Sequence, residues 1–472
     1  VNVSLESRVY GCWLGKSIGG TLGLPSEGRM ERQNYTFYDP VPTSAPPNDD
    51  LELQLVWLHL VETGSAQLTA GDFAEAWLRH IHYMWDEYGR CRWNLRRGVP
   101  LETMGVFENP FHASMGSPIR SEIWACLFPG DPESAAHYAA IDAALDHGVE
   151  GIAGEVFFAA MQSAVLGGTP VRDAISGALE RIPAASETAR ALQRVMELYR
   201  QGWEAWRARE DILAAYGNPN FTHAPLNVAL TLWALLNGDG DFEKSILLAT
   251  NAGYDTDCTA ATVGATLGLA ANASIPKRWK EPIGEGVFLG PGILDVPAPA
   301  TLTELTRRTC DVIGKLAPQS GIPWPATARG PDLADLPGTI WIRPAQEIRT
   351  VPWANGELPA EVKAAGGASW SWEVSNDEPR ELICLADAGA RLFVDDRLVL
   401  DCPAGLPYVP ATHRSPRGSR VPWQPEVGSH TVRVELNSRA PDQNATVLLA
   451  YPDLHLAPWT AQELPHRASL TT

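Results

Sequence analysis

Lysine is scarce in this chain. Of 472 residues 37 are basic, and only those at 16, 244, 277, 280, 315 and 363 are lysine, against 56 acidic residues and a formal net charge of −19. So little positive charge argues against general affinity for DNA, RNA or anionic membrane, because such binding rests on Lys and Arg displacing counterions. An anionic ligand would need a local pocket. Paired cysteines are also missing: the seven, at 12, 91, 126, 258, 310, 384 and 402, stand far apart without any Cys-x-x-Cys, which speaks against a disulfide framework or zinc ribbon. No apolar run approaches the ~20 residues of a membrane span, and the opening Val-Asn-Val-Ser-Leu-Glu-Ser lacks the basic-then-apolar order of a secretion signal. The expectation is a cytoplasmic protein, with a removed leader left open because the first residue is not Met. What is present is ordinary for globular chains, with 45% hydrophobic and 20% charged residues, and the length allows two to four domains.

Up to residue 317 the chain reads as helices punctuated by Gly, Pro and Asp, with runs at 5–23, 50–63, 71–86, 131–147, 151–166, 187–213, 225–237, 241–251, 257–272 and 301–316. Gly151–Leu166 and Asp257–Ala271 carry small or apolar residues on nearly every face, as central helices do. An all-α orthogonal bundle over 1–317 is predicted. Residues 318–338 are rich in Pro without helical period and read as a linker. Beyond it, over 339–472, short alternating runs at Thr339–Arg343, Ala368–Glu373, Arg380–Leu385, Ala390–Leu400, His430–Leu436 and Thr446–Ala450 predict an all-β sandwich.

Two acidic clusters each precede an apolar helix: Asn48-Asp49-Asp50 and Asp255-Thr256-Asp257-Cys258. One Asp at a helix start is explained by capping and the helix dipole. Two at each of two starts repel one another, and a hard dication such as Mg²⁺ or Mn²⁺ would relieve that repulsion. Capping and metal binding both remain open on residue chemistry alone.

The motifs together resemble the ADP-ribosylglycohydrolase family. The family's Gly-rich helix ending in Leu-Gly-x-Pro-x-Glu is matched by Gly15–Gly28, its Thr-Asp-Asp by Asn48-Asp49-Asp50, and its Gly-x-Asp-x-Asp-Thr/Ser by Gly253-Tyr254-Asp255-Thr256-Asp257-Cys258. The resemblance spans residues 5–317 and implies an all-α fold with one or two Mg²⁺ ions, Mn²⁺ or Ca²⁺ being alternatives. It carries the ligand positions over to Asn48, Asp49, Asp50, Asp255, Asp257 and Cys258. Asn48 stands where the family has Thr, and Cys258 where it has Thr or Ser; a neutral thiol is a poor Mg²⁺ ligand. Glu27 matches a Glu that faces the cleft and implies proton transfer to or from water or leaving group, with Asp50 and Asp257 as the other catalytic candidates. Ser114, Met115 and Gly116 align loosely with a pocket-lining segment, His147 with a sugar-contacting His that equally reads as a helix cap, and Tyr254 lies inside the closing motif.

The residues around Leu385–Asp401 and Gly428–Leu436 resemble the protective-antigen-type sandwich that accompanies glycosidases. Asp395-Asp396 reads first as a hairpin turn, with a sugar or Ca²⁺ site as the lesser reading. The sandwich could bind carbohydrate, cover the cleft or form a homodimer contact. The functional expectation is a metal-dependent hydrolase cleaving a glycosidic, foremost an N-glycosidic, bond to a ribose-like sugar in a small-molecule glycoside, nucleoside or ADP-ribosyl substrate. Its competitor is a catalytically silent protein that binds ADP-ribose or carbohydrate on the same fold.

Overall fold

Glycines repeat every four residues in the first helix, Leu5–Gly23, so that Gly11, Gly15, Gly19 and Gly23 form one stripe. In a computed structural model of the chain that stripe lies against the Thr256–Ala271 helix, antiparallel and in near backbone contact. A Cβ on Gly15 would sit 2.1 Å from the Gly264 carbonyl oxygen, one on Gly19 2.0 Å from that of Ala260, and one on Gly23 2.2 Å from that of Thr256. No side chain fits in those gaps. The described residues are 3–271, 275–325, 339–342, 349–352, 356–374 and 379–450. Residues 326–338 of the expected linker, Asn272, Arg343 and the stretch 451–472 lie outside them.

Around this helix pair pack Asp49–Thr63, Ser121–Leu127, Val149–Leu166, Ala224–Gly238 and Phe242–Asn251. Val149–Leu166 is long and apolar enough to cross a membrane. It is instead a core helix of the bundle, and its Glu155 belongs to a buried ion cluster. Two expected helices are divided. The run 71–86 is helical only over Ala70–His80. The run 187–213 breaks into Glu187–Arg200 and Ala205–Tyr216, because Gly202 turns with φ +71° and Glu204 caps a new start through Arg207 N.

The chain forms two compact units, which are not contiguous in sequence. The helical unit comprises Val1–His82, Gly98–Gly105 and His112–Ala328; the other takes in Tyr83–Arg97 and Val106–Phe111 together with Arg329–Thr472. The second unit contains ten described strands: β1 (Thr339–Ile342), β2 (Arg349–Pro352), β3 (Gly356–Glu357), β4 (Gly367–Val374), β5 (Arg380–Ala386), β6 (Ala390–Val394), β7 (Arg397–Cys402), β8 (Arg420–Trp423), β9 (Gly428–Leu436) and β10 (Ala445–Ala450). They pair antiparallel in two sheets, β2-β1-β4-β9-β6-β7 and β3-β10-β5-β8. The run Ala390–Leu400 is a hairpin whose turn, Asp395-Asp396, has φ +48° and +62°, as a two-residue turn of this hand requires. Asp395 accepts hydrogen bonds from Thr431 N at 2.9 Å and pairs with His430 Nδ1 at 2.8 Å. Its carboxylate is therefore committed to β9 and supports the turn reading over a sugar or Ca²⁺ site.

The alternating pattern of β5 and β10 puts Leu382, Cys384 and Val447 into the core between the sheets, while Ile383, Leu385, Leu448 and Ala450 face the other way. That second face is buried too, under Phe111 and Tyr408. The Asp86–Arg96 helix joins the same unit. Asp86 accepts from the Thr412 hydroxyl at 2.8 Å and pairs with His413 Nδ1 at 2.7 Å, Arg90 donates to the Leu449 carbonyl, and the Arg380 guanidinium lies 4.7 Å from the centre of the Trp93 ring.

Widening the helix contact should be costly: Gly19→Val is expected to lower stability by about 3 kcal/mol, as overpacking against unyielding backbone does. Gly20→Ala, whose methyl would meet the Asn48 side chain at 3.3 Å and the Ala261 Cβ at 3.8 Å but no backbone, should cost far less. Chemical denaturation of both variants checks this; equal losses would refute the close-contact account.

Candidate metal and active site

The helix contact brings the end of the first helix to the start of the Thr256–Ala271 helix. Thr256 Oγ1 donates to the Gly23 carbonyl at 2.8 Å and meets the Ser26 hydroxyl at 3.1 Å. Glu27 follows at once. The opposing loop turns sharply through Gly253 and Tyr254, with φ +78° and +68°. It is clamped by two backbone bonds, Gly28 N to Tyr254 O at 2.9 Å and Tyr254 N to Arg29 O at 2.7 Å. Asp255 N donates to Asn227 Oδ1 at 3.3 Å, which sets the direction of the following carboxylates.

Two groups of candidate ligand atoms result, each with its members within 4.8 Å of one another: Glu27, Asp255 and Asp257; and Asp50, Asp257 and Cys258. Asp257 belongs to both. Asp50, Asp255 and Asp257 are almost fully buried, and Asp257 Oδ1 has no hydrogen-bond partner. Burial, followed by the neighbouring Glu27 charge, pushes the Asp255 and Asp257 carboxyls well above their ordinary range. Asp50 is raised to about 6 by burial and by Glu122, against the pull of Lys16. Burial and the adjoining carboxylates also push the Cys258 thiol up, so it keeps its proton.

Asn48 caps the Asp49–Thr63 helix. Its Oδ1 accepts from Asp50 N at 2.7 Å, and its Nδ2 faces Asp257 Oδ2 at 3.3 Å. Asp49 lies in the first helical turn, outside both groups of ligand atoms, although its charge still bears on Asp257.

Beneath Asp50 lies a buried polar network. Lys16 Nζ contacts Asp50 Oδ1 at 3.3 Å and Glu122 Oε2 at 3.0 Å and donates to the Ile119 carbonyl at 2.8 Å. Gln54 donates to Glu122 at 3.0 Å and accepts from Ile123 N at 2.8 Å, and Gln162 donates to Glu122 at 3.3 Å. Burial works against the Lys16 charge, but Glu122 and Asp50 outweigh it and its pKa is raised. Sequence reasoning missed Lys16, Gln54, Glu122 and Asn227. A lysine within a Gly-rich helix and a Gln one turn beyond Asp50 were the available signals.

Ser114, Met115, Gly116 and His147 fall in a second neighbourhood of the helical unit. Ser114 accepts from the Thr222 hydroxyl at 3.1 Å and bridges His223 through backbone, and Met115 is core. The Pro132–Ala143 helix ends four residues before His147, whose Nδ1 lies 2.8 Å from Asp146 Oδ1. Burial, then the nearby His147, lowers the His112 pKa; burial and His112 lower that of His223 to about 4. Asn227 links the two neighbourhoods, donating to the Phe221 and His223 carbonyls at 2.7 and 3.0 Å while it holds Asp255 N. Arg120 is committed to the core, bidentate to Asp146 at 2.8 and 2.9 Å and paired with Asp142 at 2.9 Å. Tyr254 is buried at the closing turn.

The donor chemistry fits a hard divalent cation. Carboxylate oxygens from two helix starts and the Glu27 turn converge, and their unrelieved negative charge is what such an ion neutralises. In chelated protein the raised carboxyls bind protons more tightly folded than unfolded. Their contribution is therefore fully present below about pH 4 and is lost as pH rises through about 6 and beyond. Asp257→Asn should flatten that decline and raise the melting temperature at pH 7 without metal. A lower melting temperature there would contradict the charge picture.

A model of the ADP-ribosylglycohydrolase family matches residues 2–315. An uncharacterized protein of Archaeoglobus fulgidus is 25% identical over 302 residues, covering 60% of this chain and 94% of that protein. Among solved structures, an ADP-ribosylglycohydrolase-related protein complex aligns over 66% of this chain and 99% of that one, at 21% identity and a TM-score of 0.46. A β-glucosidase from Kluyveromyces marxianus aligns over 27% of this chain and 16% of its own, at 10% identity and a TM-score of 0.18.

Proposed function

This chain belongs to the ADP-ribosylglycohydrolase family, and from that premise we propose that it is a cation-dependent hydrolase of a glycosidic, foremost N-glycosidic, bond to a ribose-like sugar. The observation that carries the reading is the convergence of Glu27, Asp255 and Asp50 on Asp257, which belongs to both ligand groups and has a buried oxygen without a hydrogen-bond partner. Mg²⁺ or Mn²⁺ fits that donor set, and bound there it would supply positive charge to sugar hydroxyls and water. The chain's own groups do the rest. Asp255 and Asp257 leave a rigid turn and helix start, so their oxygens are positioned before substrate arrives. Glu27, just past the first helix and within the same ligand group as Asp255 and Asp257, is our candidate to move a proton between water and the departing group.

The substrate is a small molecule. ADP-ribosyl compounds, nucleosides and other glycosides are all candidates. Arg120, the arginine closest in sequence to the expected pocket segment, is occupied by core carboxylates, which weighs against its holding a diphosphate and leaves nucleosides and simple glycosides as strong contenders.

A turnover panel of ADP-ribosylated protein, nucleosides and aryl glycosides, run with Mg²⁺ and Mn²⁺ on wild type and Asp257→Ala, tests this. One substrate class should turn over, and the variant should lose roughly 100-fold or more. Unchanged activity in the variant would place the chemistry elsewhere. Tight binding of a sugar or ADP-ribose with no turnover of any panel member would favour the silent binding protein instead.

A further inference from the structure

Lys16 Nζ donates to the Ile119 carbonyl at 2.8 Å and forms ion pairs with Glu122 Oε2 at 3.0 Å and Asp50 Oδ1 at 3.3 Å. Two buried carboxylates within 3.3 Å of one nitrogen are the surroundings of a charged lysine. All three residues are essentially excluded from water, Lys16 being 1% exposed, Asp50 1% and Glu122 0%. A resident cation is thus built into one side of the carboxylate centre.

The two ligand groups differ accordingly. In Asp50, Asp257 and Cys258, the first carboxylate is already paired with Lys16, and sulfur is a poor ligand for a hard dication. Asn48 turns an N–H toward Asp257 from the same side, at 3.3 Å. An ammonium and an amide N–H both oppose a dication, and in a buried site that opposition is poorly screened. Glu27, Asp255 and Asp257 form the other group, three carboxylates with no lysine paired to Asp255 or Asp257 among the described residues, and Asp257 Oδ1 is buried without a hydrogen-bond partner.

We propose that the Lys16 ammonium stands in for one of two divalent cations, so that this chain takes a single one, held by Glu27, Asp255 and Asp257. The inference rests on the cation-dependent reading above and specifies its stoichiometry. Lys16 is then a positioning residue: its contact with Asp50 Oδ1 at 3.3 Å holds that carboxylate in place without a second metal.

The test counts metal directly. Full-length protein is stripped with chelator and titrated with Mn²⁺, bound ion being counted by equilibrium dialysis and by calorimetry. Wild type is expected to bind one equivalent. Asn48→Thr with Cys258→Ser, which returns hydroxyl oxygens to both positions, is expected still to bind one while Lys16 remains. Adding Lys16→Leu to that pair is expected to bring the count to two, with spin coupling between adjacent Mn²⁺ ions in paramagnetic resonance. Two equivalents in wild type, or in the double variant, would overturn the proposal and leave the cation-dependent reading standing. A count of one in a folded triple variant would also overturn the role of Lys16. No binding to wild type at millimolar Mn²⁺ would overturn the cation reading itself. The wild-type and double-variant counts decide the matter even if loss of Lys16 prevents folding.

Discussion

The near contact of two backbones, Leu5–Gly23 against Thr256–Ala271, is the constraint on which the functional site depends. Helices ordinarily pack 8–10 Å apart because side chains intervene. Here Gly15, Gly19 and Gly23 meet the carbonyls of Gly264, Ala260 and Thr256 with no room for a methyl group. The antiparallel register that results puts the end of one helix beside the start of the other. Glu27 and the pair Asp255 and Asp257 lie nearly 230 residues apart in the chain and become neighbours through that register alone.

Such a site stores unfavourable electrostatics. Several buried carboxyls share one pocket, and each is raised in pKa by burial first and by its neighbours second. Taken alone the arrangement destabilises the fold, which is a common sign of a centre shaped for a ligand of opposite charge. The Lys16–Asp50–Glu122 network has a different character. Glu122 accepts hydrogen bonds from Gln54 and Gln162, and Lys16 donates to the Ile119 carbonyl. Arg120 with Asp142, Asp146 and Glu155 repeats that pattern elsewhere in the bundle. A buried cation in this family fold therefore does not by itself mark a place for an anionic substrate.

The β unit shows how a continuous sequence domain and a compact structural unit can diverge. Residues 83–97 and 106–111 fall inside the family's sequence span yet belong with the strands. Nothing in their helical periodicity signals this. The signal is in β5 and β10 themselves: Leu382-Ile383-Cys384-Leu385 and Val447-Leu448 are apolar at consecutive positions, whereas a sheet with one wet face alternates. A strand apolar on both faces needs a cover, and Phe111 and Tyr408 are part of it.

The sequence by itself determined which residues could do chemistry. The motif order Glu27, Asp49-Asp50 and Asp255-x-Asp257, the four-residue glycine spacing, and the change from helical to alternating pattern were all legible, because local periodicity and residue chemistry are properties of short windows. Only the tertiary structure decided which carboxylates share an atom-scale pocket. It also decided that Asn48 turns its N–H toward Asp257 and that Lys16, Gln54 and Glu122 underlie Asp50. Those facts depend on helix register and on hydrogen-bond partners distant in sequence, and no window of one chain segment contains them.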